Sequence, residues 1–246
     1  MFDHGYGVNI RDCHGQTPLH LVAKVGHCEA MIMLLAQPGI DVNARDRNGQ
    51  APLMSAAENG ATKVVDLLLN IRGVRVNPTV VTQRPPLFLA IEGGNIDTIH
   101  RLLQEPSINI NQEYASNSPL LTAIRQGRNW VTIFLLRQGA LNNIRTPRRE
   151  SALLLATRKG STAVVEELLK DHTVDVNFID FKGRTALHWA ADYGNMAMVQ
   201  CLLADKRTDV RLVDSLGWNA LEIALHEDYY ELFDLLGKPA ELDAEH

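Results

Sequence analysis

A histidine, a tryptophan, an aspartate, a tyrosine and an arginine lie within the twelve residues GRTALHWAADYG, at positions 183–194. Side chains of these types serve in acid–base catalysis and in ligand binding, so their density could indicate an active site around His188. The same residues could instead serve the architecture of the chain. The two interpretations differ in whether the segment occurs once or recurs.

The segment recurs along the chain at a nearly constant interval. Alignment on its leucine gives seven copies, separated by steps of 33 or 34 residues. Six of the seven copies continue to a glycine seven residues after the leucine and then to a Leu-Leu pair. An interval in this range is typical of repeat architectures. The seven leucines are Leu19, Leu53, Leu87, Leu120, Leu153, Leu187 and Leu221.

Each copy predicts a helix, a turn and a second helix. Thr185, or its equivalent, offers a side-chain oxygen at the helix N-cap, and in several copies a proline follows at the first helical position. A small residue, usually alanine, three positions after the leucine lets neighbouring helices approach closely. The recurrent glycine ends the first helix in the left-handed conformation. Two helices this short cannot bury their apolar faces alone, so the copies must stack.

The segments DVNARDRNGQAPL (41–53) and DVNFIDFKGRTAL (175–187) resemble the ankyrin repeat, whose pattern is D-x-x-G-x-T-P-L-H-x-A-A-x-x-G, a second helix ending in Leu-Leu, and D-V-N-A. The resemblance covers residues 8–236. It implies an all-α fold, an elongated right-handed ankyrin-repeat solenoid of stacked helix-turn-helix units joined by β-hairpin-like fingers, with the first helices on a concave face. The units fall near 12–44, 46–78, 80–111, 113–144, 146–178, 180–212 and 214–236, followed by a polar tail at 237–246.

The resemblance also bears on the question about His188. In ankyrin repeats the histidine of T-P-L-H looks like a structural residue that bonds to the threonine side of the turn, so we expect an architectural role rather than catalysis. Trp189 is expected to pack between units. The residues of this segment that match the variable, partner-facing positions of the family are Arg184, Asp192 and Tyr193.

The middle of the chain departs most from the repeat pattern. Units three, four and five read VVTQRPPL, EYASNSPL and TPRRESAL and lack the aspartate-to-glycine turn of the other units. Residues 123–170 hold nine Lys and Arg against three acidic residues, although the whole chain has a net charge of −5. Arginine forks beside aromatic rings suit an acidic peptide or a carboxylate- or phosphate-bearing ligand, whereas the alternative is a solvated charged face. We predict a non-enzymatic protein-interaction module, an adaptor or scaffold, that binds an acidic partner segment on the concave face of the central repeats through Arg84, Tyr114, Arg125, Arg148, Arg149, Arg158, Lys159, Phe181, Arg184, Asp192, Tyr193 and Trp218.

A function of another class stays open. The groove of a repeat protein can be recruited to bind a small molecule, or to catalyse a reaction that needs only acid–base groups beside the arginines, because function belongs to the site and not to the fold. A deep, enclosed pocket would favour this alternative, and an open face would favour the adaptor. The candidate groups are Glu92, Glu113, Glu150, Asp192, Tyr193 and His226.

Composition narrows the partners and the setting. The net charge of −5 argues against a nucleic-acid or anionic-membrane partner. The three cysteines are far apart, which predicts no metal, no cofactor and no disulfide framework and favours the cytoplasm, with the nucleus also compatible. No apolar run approaches 18 residues. The first finger, GVNIRDCHG, resembles that of a unit whose helices are absent, so we expect either that the chain is a fragment of a longer protein or that something covers this end, as self-association would.

Overall fold

The computed structural model describes residues 7–78, 83–115, 117–142 and 150–237. The chain divides into two compact units. The first unit is residues 1–122 and the second unit is residues 123–246, and each helix-turn-helix copy within them is called a repeat. Every regular element in the described ranges is helical, and the β-structure there is a single bridge between Tyr114 and Asn117. This confirms the all-α fold class.

The first unit contains three complete helical pairs. They are α1 (Pro18–Val25) with α2 (Cys28–Leu35), α3 (Pro52–Glu58) with α4 (Thr62–Leu69), and α5 (Pro86–Gly93) with α6 (Ile96–Leu103). The first helices pack side by side in one layer, and the second helices pack in another. Helix α7 (Pro119–Arg125) contains the point at which the chain divides.

The second unit repeats the same two layers. Helices α9, α11 and α13 pack in the first layer and α8, α10 and α12 in the second. A 3₁₀ turn and the short α14 follow α13. The bounds are α8 (Asn129–Arg137), α9 (Ala152–Arg158), α10 (Thr162–Leu169), α11 (Ala186–Asp192), α12 (Met196–Leu203), α13 (Ala220–His226), the 3₁₀ turn (Tyr230–Leu232) and α14 (Phe233–Leu236).

The helix limits follow from the residues predicted to set them. Thr185 is the N-cap of α11, and its side chain accepts from the backbone N–H of His188. Gly194 follows the helix at φ +60°, in the left-handed region that glycine adopts without strain. The alanines three positions after each leucine are fully buried where the first helices pack together: Ala56, Ala90, Ala123, Ala156, Ala190 and Ala224.

The fingers that the structure describes in full are closed turns rather than strands. In the second finger, both the backbone N–H of Asn48 and that of Gln50 donate to Asp46 Oδ1 at 2.9 Å, and the N–H of Asp46 donates to the carbonyl of Gln50. The N–H of Arg47 then donates to the carbonyl of His14, one finger earlier. The hairpin-like shape is therefore present without a regular β-ladder.

Asparagine side chains join successive repeats. Asn177 Nδ2 donates to the carbonyl of Arg207 at 2.8 Å, and the N–H of Asp209 donates back to Asn177 Oδ1 at 2.9 Å. These two bonds fix the spacing of loops about one repeat apart. The equivalent asparagines that make the same pair of bonds are Asn9, Asn43 and Asn77.

Candidate functional site

Two positions of the repeat, which we call the flanking pair, meet across the first helix in repeats three, five, six and seven. One lies three residues before the repeat leucine, just ahead of the helix, and the other lies five residues after the leucine. In three repeats the two residues form an ion pair. These pairs are Arg84 Nη1–Glu92 Oε2 at 3.2 Å, Glu150 Oε1–Arg158 Nη1 at 2.7 Å and Arg184 Nη1–Asp192 Oδ1 at 2.8 Å.

Repeat five reverses the order of charges in its flanking pair. In repeats three and six an arginine precedes the helix and an acid follows the leucine, whereas in repeat five Glu150 precedes the helix and Arg158 ends it. In repeat seven two rings replace the charges: Trp218 lies against His226 with centroids 4.6 Å apart. The reversal brings Glu150 to the arginine of the repeat before it.

That arginine is Arg125, the last residue of α7. Asn117 occupies the other flanking position of repeat four, and Arg125 Nη2 contacts Glu150 Oε2 at 3.3 Å. Glu150 is thus bound by two guanidinium groups, and its side chain is only 12% exposed. It lies in an open depression of about 560 Å³ whose other lining residues include Lys159. We call this the Glu150 depression; it is lined by Arg125, Glu150, Leu155, Arg158, Lys159 and Tyr193.

Trp189 forms a second grouping beside the depression. The cationic groups of Arg158, Lys182 and Arg184 lie 5.1, 5.4 and 5.0 Å from its ring centroid, within the range of cation–π attraction. The ring is 8% exposed and its Nε1–H donates to Asp180 Oδ2 at 3.0 Å. We call Trp189 and its three cations the Trp189 cluster. It confirms that Trp189 packs between repeats, because Arg158 belongs to repeat five.

Buried carboxylates keep the charges of this region in place. Arg184 Nε donates to Asp214 Oδ2 at 3.1 Å. Burial alone would raise the pKa of Asp214, but the N–H groups of Leu216 and Trp218 and the Arg184 guanidinium hold that pKa below its usual value. Burial likewise tends to lower the pKa of Arg184, and its bonds to Asp192 and Asp214 overcome this and raise it. Arg184 is therefore charged and largely buried, and it links the carboxylates of Asp192 and Asp214.

The residues predicted to bind a partner do not share one environment. Tyr193 is 48% exposed beside Trp189, and Phe181 is 68% exposed on the sixth finger. In the first unit, Tyr114 is half-buried, with its ring edge on Phe88 at 6.0 Å and Arg84 at 5.9 Å. The predicted residues Arg148 and Arg149 lie outside the described residues.

His188 is held by the bonds expected of an architectural residue. The backbone N–H of Thr185 donates to His188 Nδ1 at 3.1 Å, and Nε2 lies 3.2 Å from the carbonyl of Trp218. Because an amide N–H can only donate, Nδ1 accepts and the proton belongs on Nε2. Burial lowers the pKa of His188, which favours this neutral form. His20 makes the same contacts to Thr17 and Gln50.

Sequence reasoning missed the residues that hold the site together. Asp180 and Asp214 were not among the candidates, and the shared role of Glu150 was not foreseen. The sequence does indicate the pairing of Glu150 with Arg158, because alignment on the repeat leucine places these two residues at the same positions as Arg184 and Asp192. What the alignment lacks is the contact from Glu150 to the preceding repeat.

Most of the alternative catalytic groups are engaged in contacts of their own, whereas Glu113 is exposed. Glu92 pairs with Arg84, Asp192 pairs with Arg184, and His226 lies against Trp218. Among the residues that the structure describes, no three His, Cys, Asp or Glu side chains form a group able to hold a metal ion. None of the helices in those ranges has the length and apolar character needed to cross a bilayer.

Comparisons with known proteins place the chain among repeat proteins. The family model for ankyrin repeats (3 copies) matches residues 1–80, 131–214 and 153–246. The crystal structure of the human ASB11 ankyrin repeat domain is similar, with a TM-score of 0.73 and 25% sequence identity, over 91% of this chain and 99% of that one. Among curated protein sequences, none matches significantly. The family model covers well over half of the sequence, and the chain belongs to the ankyrin repeat family.

Proposed function

We propose that this chain is a non-enzymatic adaptor whose second unit binds an acidic segment of a partner protein at the Glu150 depression and the Trp189 cluster. Protein–protein interaction is the general role of ankyrin repeats. We further propose that the partner segment is acidic, that it binds at this site, and that the protein acts in the cytoplasm.

The charge of the depression is the observation that carries this proposal. Its lining includes the three cations Arg125, Arg158 and Lys159 and one carboxylate, Glu150. Arginine forks bind carboxylates through two parallel hydrogen bonds, and the half-exposed ring of Tyr193 adds an amphipathic contact surface. An acidic peptide segment complements both features.

The scaffold holds these side chains close to a binding geometry. Arg125 and Arg158 end neighbouring first helices, and the Arg158 guanidinium is further positioned by the Trp189 ring. Side chains fixed in advance lose little conformational entropy when a partner binds. This supports binding by an extended segment. It does not favour the catalytic alternative, most of whose groups are occupied by ion pairs or ring contacts.

A peptide selection followed by titration tests the proposal. A random dodecapeptide library selected on the immobilised protein should yield sequences rich in Asp and Glu. Arg158→Gln should weaken binding of the selected peptides at least tenfold, about 1.4 kcal/mol. Arg211→Gln is the matched control, because Arg211 is largely exposed and pairs with Asp209 in its own loop. Selection without acidic enrichment, or unchanged binding by Arg158→Gln in a folded protein, would contradict the proposal.

Arg148 and Arg149 belong to the proposal through their sequence positions alone. A variant carrying Arg148→Glu and Arg149→Glu should weaken the same peptides by more than tenfold, about 1.4 kcal/mol, if these residues anchor the partner. Unchanged affinity in this variant, together with a loss in Arg158→Gln, would limit the site to the described residues.

Self-association at the first repeat is a separate part of the proposal. Large apolar side chains are exposed on α1 and α2, among them Val25 and Met33. Such side chains are typical of contact surfaces when they lie together. Light scattering over a dilution series should detect a dimer that Val25→Asp disrupts. A monomer at every concentration would contradict this part and leave the acidic-segment proposal intact.

A further inference from the structure

We propose that Glu150 is an internal occupant of an anion site, and that the group which replaces it is a phosphorylated serine or threonine in the partner segment. This inference rests on the proposed function, because it specifies the chemistry of the acidic segment. It goes beyond that function by making binding depend on a modification of the partner.

The contacts of Glu150 are those of a bound carboxylate. One oxygen accepts from Arg158 at 2.7 Å and the other contacts Arg125 at 3.3 Å, so each oxygen faces a different repeat. A carboxylate delivered by a partner would make the same two contacts. The site thus presents the geometry of an occupied anion-binding site, with the occupant supplied by the chain itself.

A ligand that binds this site must replace the carboxylate of Glu150, so it must attract the two arginines more strongly than Glu150 does. A glutamate or aspartate of a partner replaces one carboxylate by another, so it gains less from the two arginines than a ligand of higher charge does. A phosphate group carries about −1.5 to −2 charges and three acceptor oxygens at neutral pH. It gives Arg125 and Arg158 a stronger counter-charge and leaves an oxygen for a third donor. Displacement of Glu150 therefore favours a phosphate over a carboxylate.

Lys159 is suited to be that third donor. It follows Arg158 directly, lines the same depression and is exposed. Lys159 forms no ion pair with any residue in the described ranges. Its ammonium group is a mobile point charge on a long stem, which can reach the outer oxygen of a phosphate held by two arginine forks.

Glu150 can leave the site without disturbing the helix behind it. It lies one residue before Ser151, the N-cap of α9, and is not part of that helix. The cap bond, in which Leu154 N–H donates to Ser151 Oγ at 3.2 Å, does not involve the Glu150 side chain. Rotation of that side chain toward solvent is therefore compatible with an intact α9.

Three peptides test the inference. They share one acidic sequence taken from the selection above and differ only at one central residue, which is serine, glutamate or phosphoserine. We expect the phosphoserine peptide to bind the protein at least tenfold more tightly than the glutamate peptide, measured by isothermal titration calorimetry. Equal affinity for the two would overturn the inference. The acidic-segment function would then still stand, provided that both bind and that Arg158→Gln weakens them.

The variant Glu150→Gln tests the displacement itself. Glutamine keeps the size and hydrogen-bonding ability of the side chain but removes its charge, so an incoming anion no longer has to replace a carboxylate. Both anionic peptides should bind Glu150→Gln at least fivefold more tightly than the parent. Glu166→Gln on α10 is the matched control and should leave affinity unchanged. A gain in affinity cannot result from misfolding; unchanged or weaker binding by Glu150→Gln would overturn the inference.

Discussion

Replacement of His188 by leucine measures how much the architecture depends on one buried imidazole. Leucine is the residue that repeats four and five carry at this position, so the helix backbone accommodates it. The substitution removes the acceptor of the Thr185 N–H, which is buried, at a cost of about 1–3 kcal/mol. The carbonyl of Trp218 loses the Nε2–H but keeps the N–H of Asp214, so its loss is about 0.5–1.5 kcal/mol. We expect a total destabilisation of about 1.5–4.5 kcal/mol.

The pH dependence of this loss gives the argument a second readout. Burial places the pKa of His188 in the folded protein below its value of about 6.5 in the unfolded chain. The unfolded chain therefore binds the proton more readily, and the contribution of His188 is fully present above pH of about 6.5 and declines as the pH falls below it. The difference in stability between parent and His188→Leu should accordingly shrink between pH 7.5 and pH 5.

Urea unfolding followed by tryptophan fluorescence measures both effects, because Trp189 and Trp218 flank the substituted contact. His172→Leu is the control, since His172 is exposed and its replacement should change stability by no more than about 0.5 kcal/mol. A His188→Leu variant within that margin at pH 7.5 would refute the architectural role. A difference that grows on acidification would refute the assignment of a neutral imidazole.

Three further substitutions test how the repeats are held together, each by urea unfolding. Gly194→Ala places a Cβ on a left-handed residue 2.6 Å from the Tyr229 ring and should cost about 2–4 kcal/mol. Gly139→Ala, where the Cβ meets open space, should cost about 1 kcal/mol. Equal losses in the two variants would contradict the steric reasoning. Arg207→Ala removes donors to carbonyls at the end of α10 and in the loop after it, and should cost about 2–3 kcal/mol with faster hydrogen exchange there. Unchanged exchange would contradict the capping role. Asn177→Ala should cost about 1–2 kcal/mol through its two inter-repeat bonds, and a loss below 0.5 would contradict it.

The repeat and its helices were predictable because each depends on contacts that are local in sequence. The threonine cap and the glycine terminus act within a few residues of the helix that they limit, so Thr185 and Gly194 could be assigned from the pattern. The same holds for the structural role of His188, whose Thr185 contact spans three residues. The buried alanines followed from the need of stacked helices to approach closely.

The site was predicted less completely because its contacts link different repeats. The sequence marks Arg184 as basic and variable, but the partners that occupy it include Asp214, thirty residues away. The residues next to an arginine in the sequence do not show whether it is bound by buried carboxylates or is open to a ligand. Trp189 was predicted to pack between repeats, but its function as a platform for three cations depends on side chains from two repeats.

The reversed flanking pair of repeat five explains why cations collect in this part of the second unit. Glu150 and Arg158 each have one neighbour in their own repeat and another in an adjacent repeat, so a change of order alters two contacts at once. On one side the reversal places Glu150 between Arg125 and Arg158. On the other side it brings Arg158 toward Arg184, where the Trp189 ring lies within 5.1 Å of both guanidinium groups. The two like charges repel each other, their ion pairs with Glu150 and Asp192 offset part of that cost, and an anionic ligand would offset more of it.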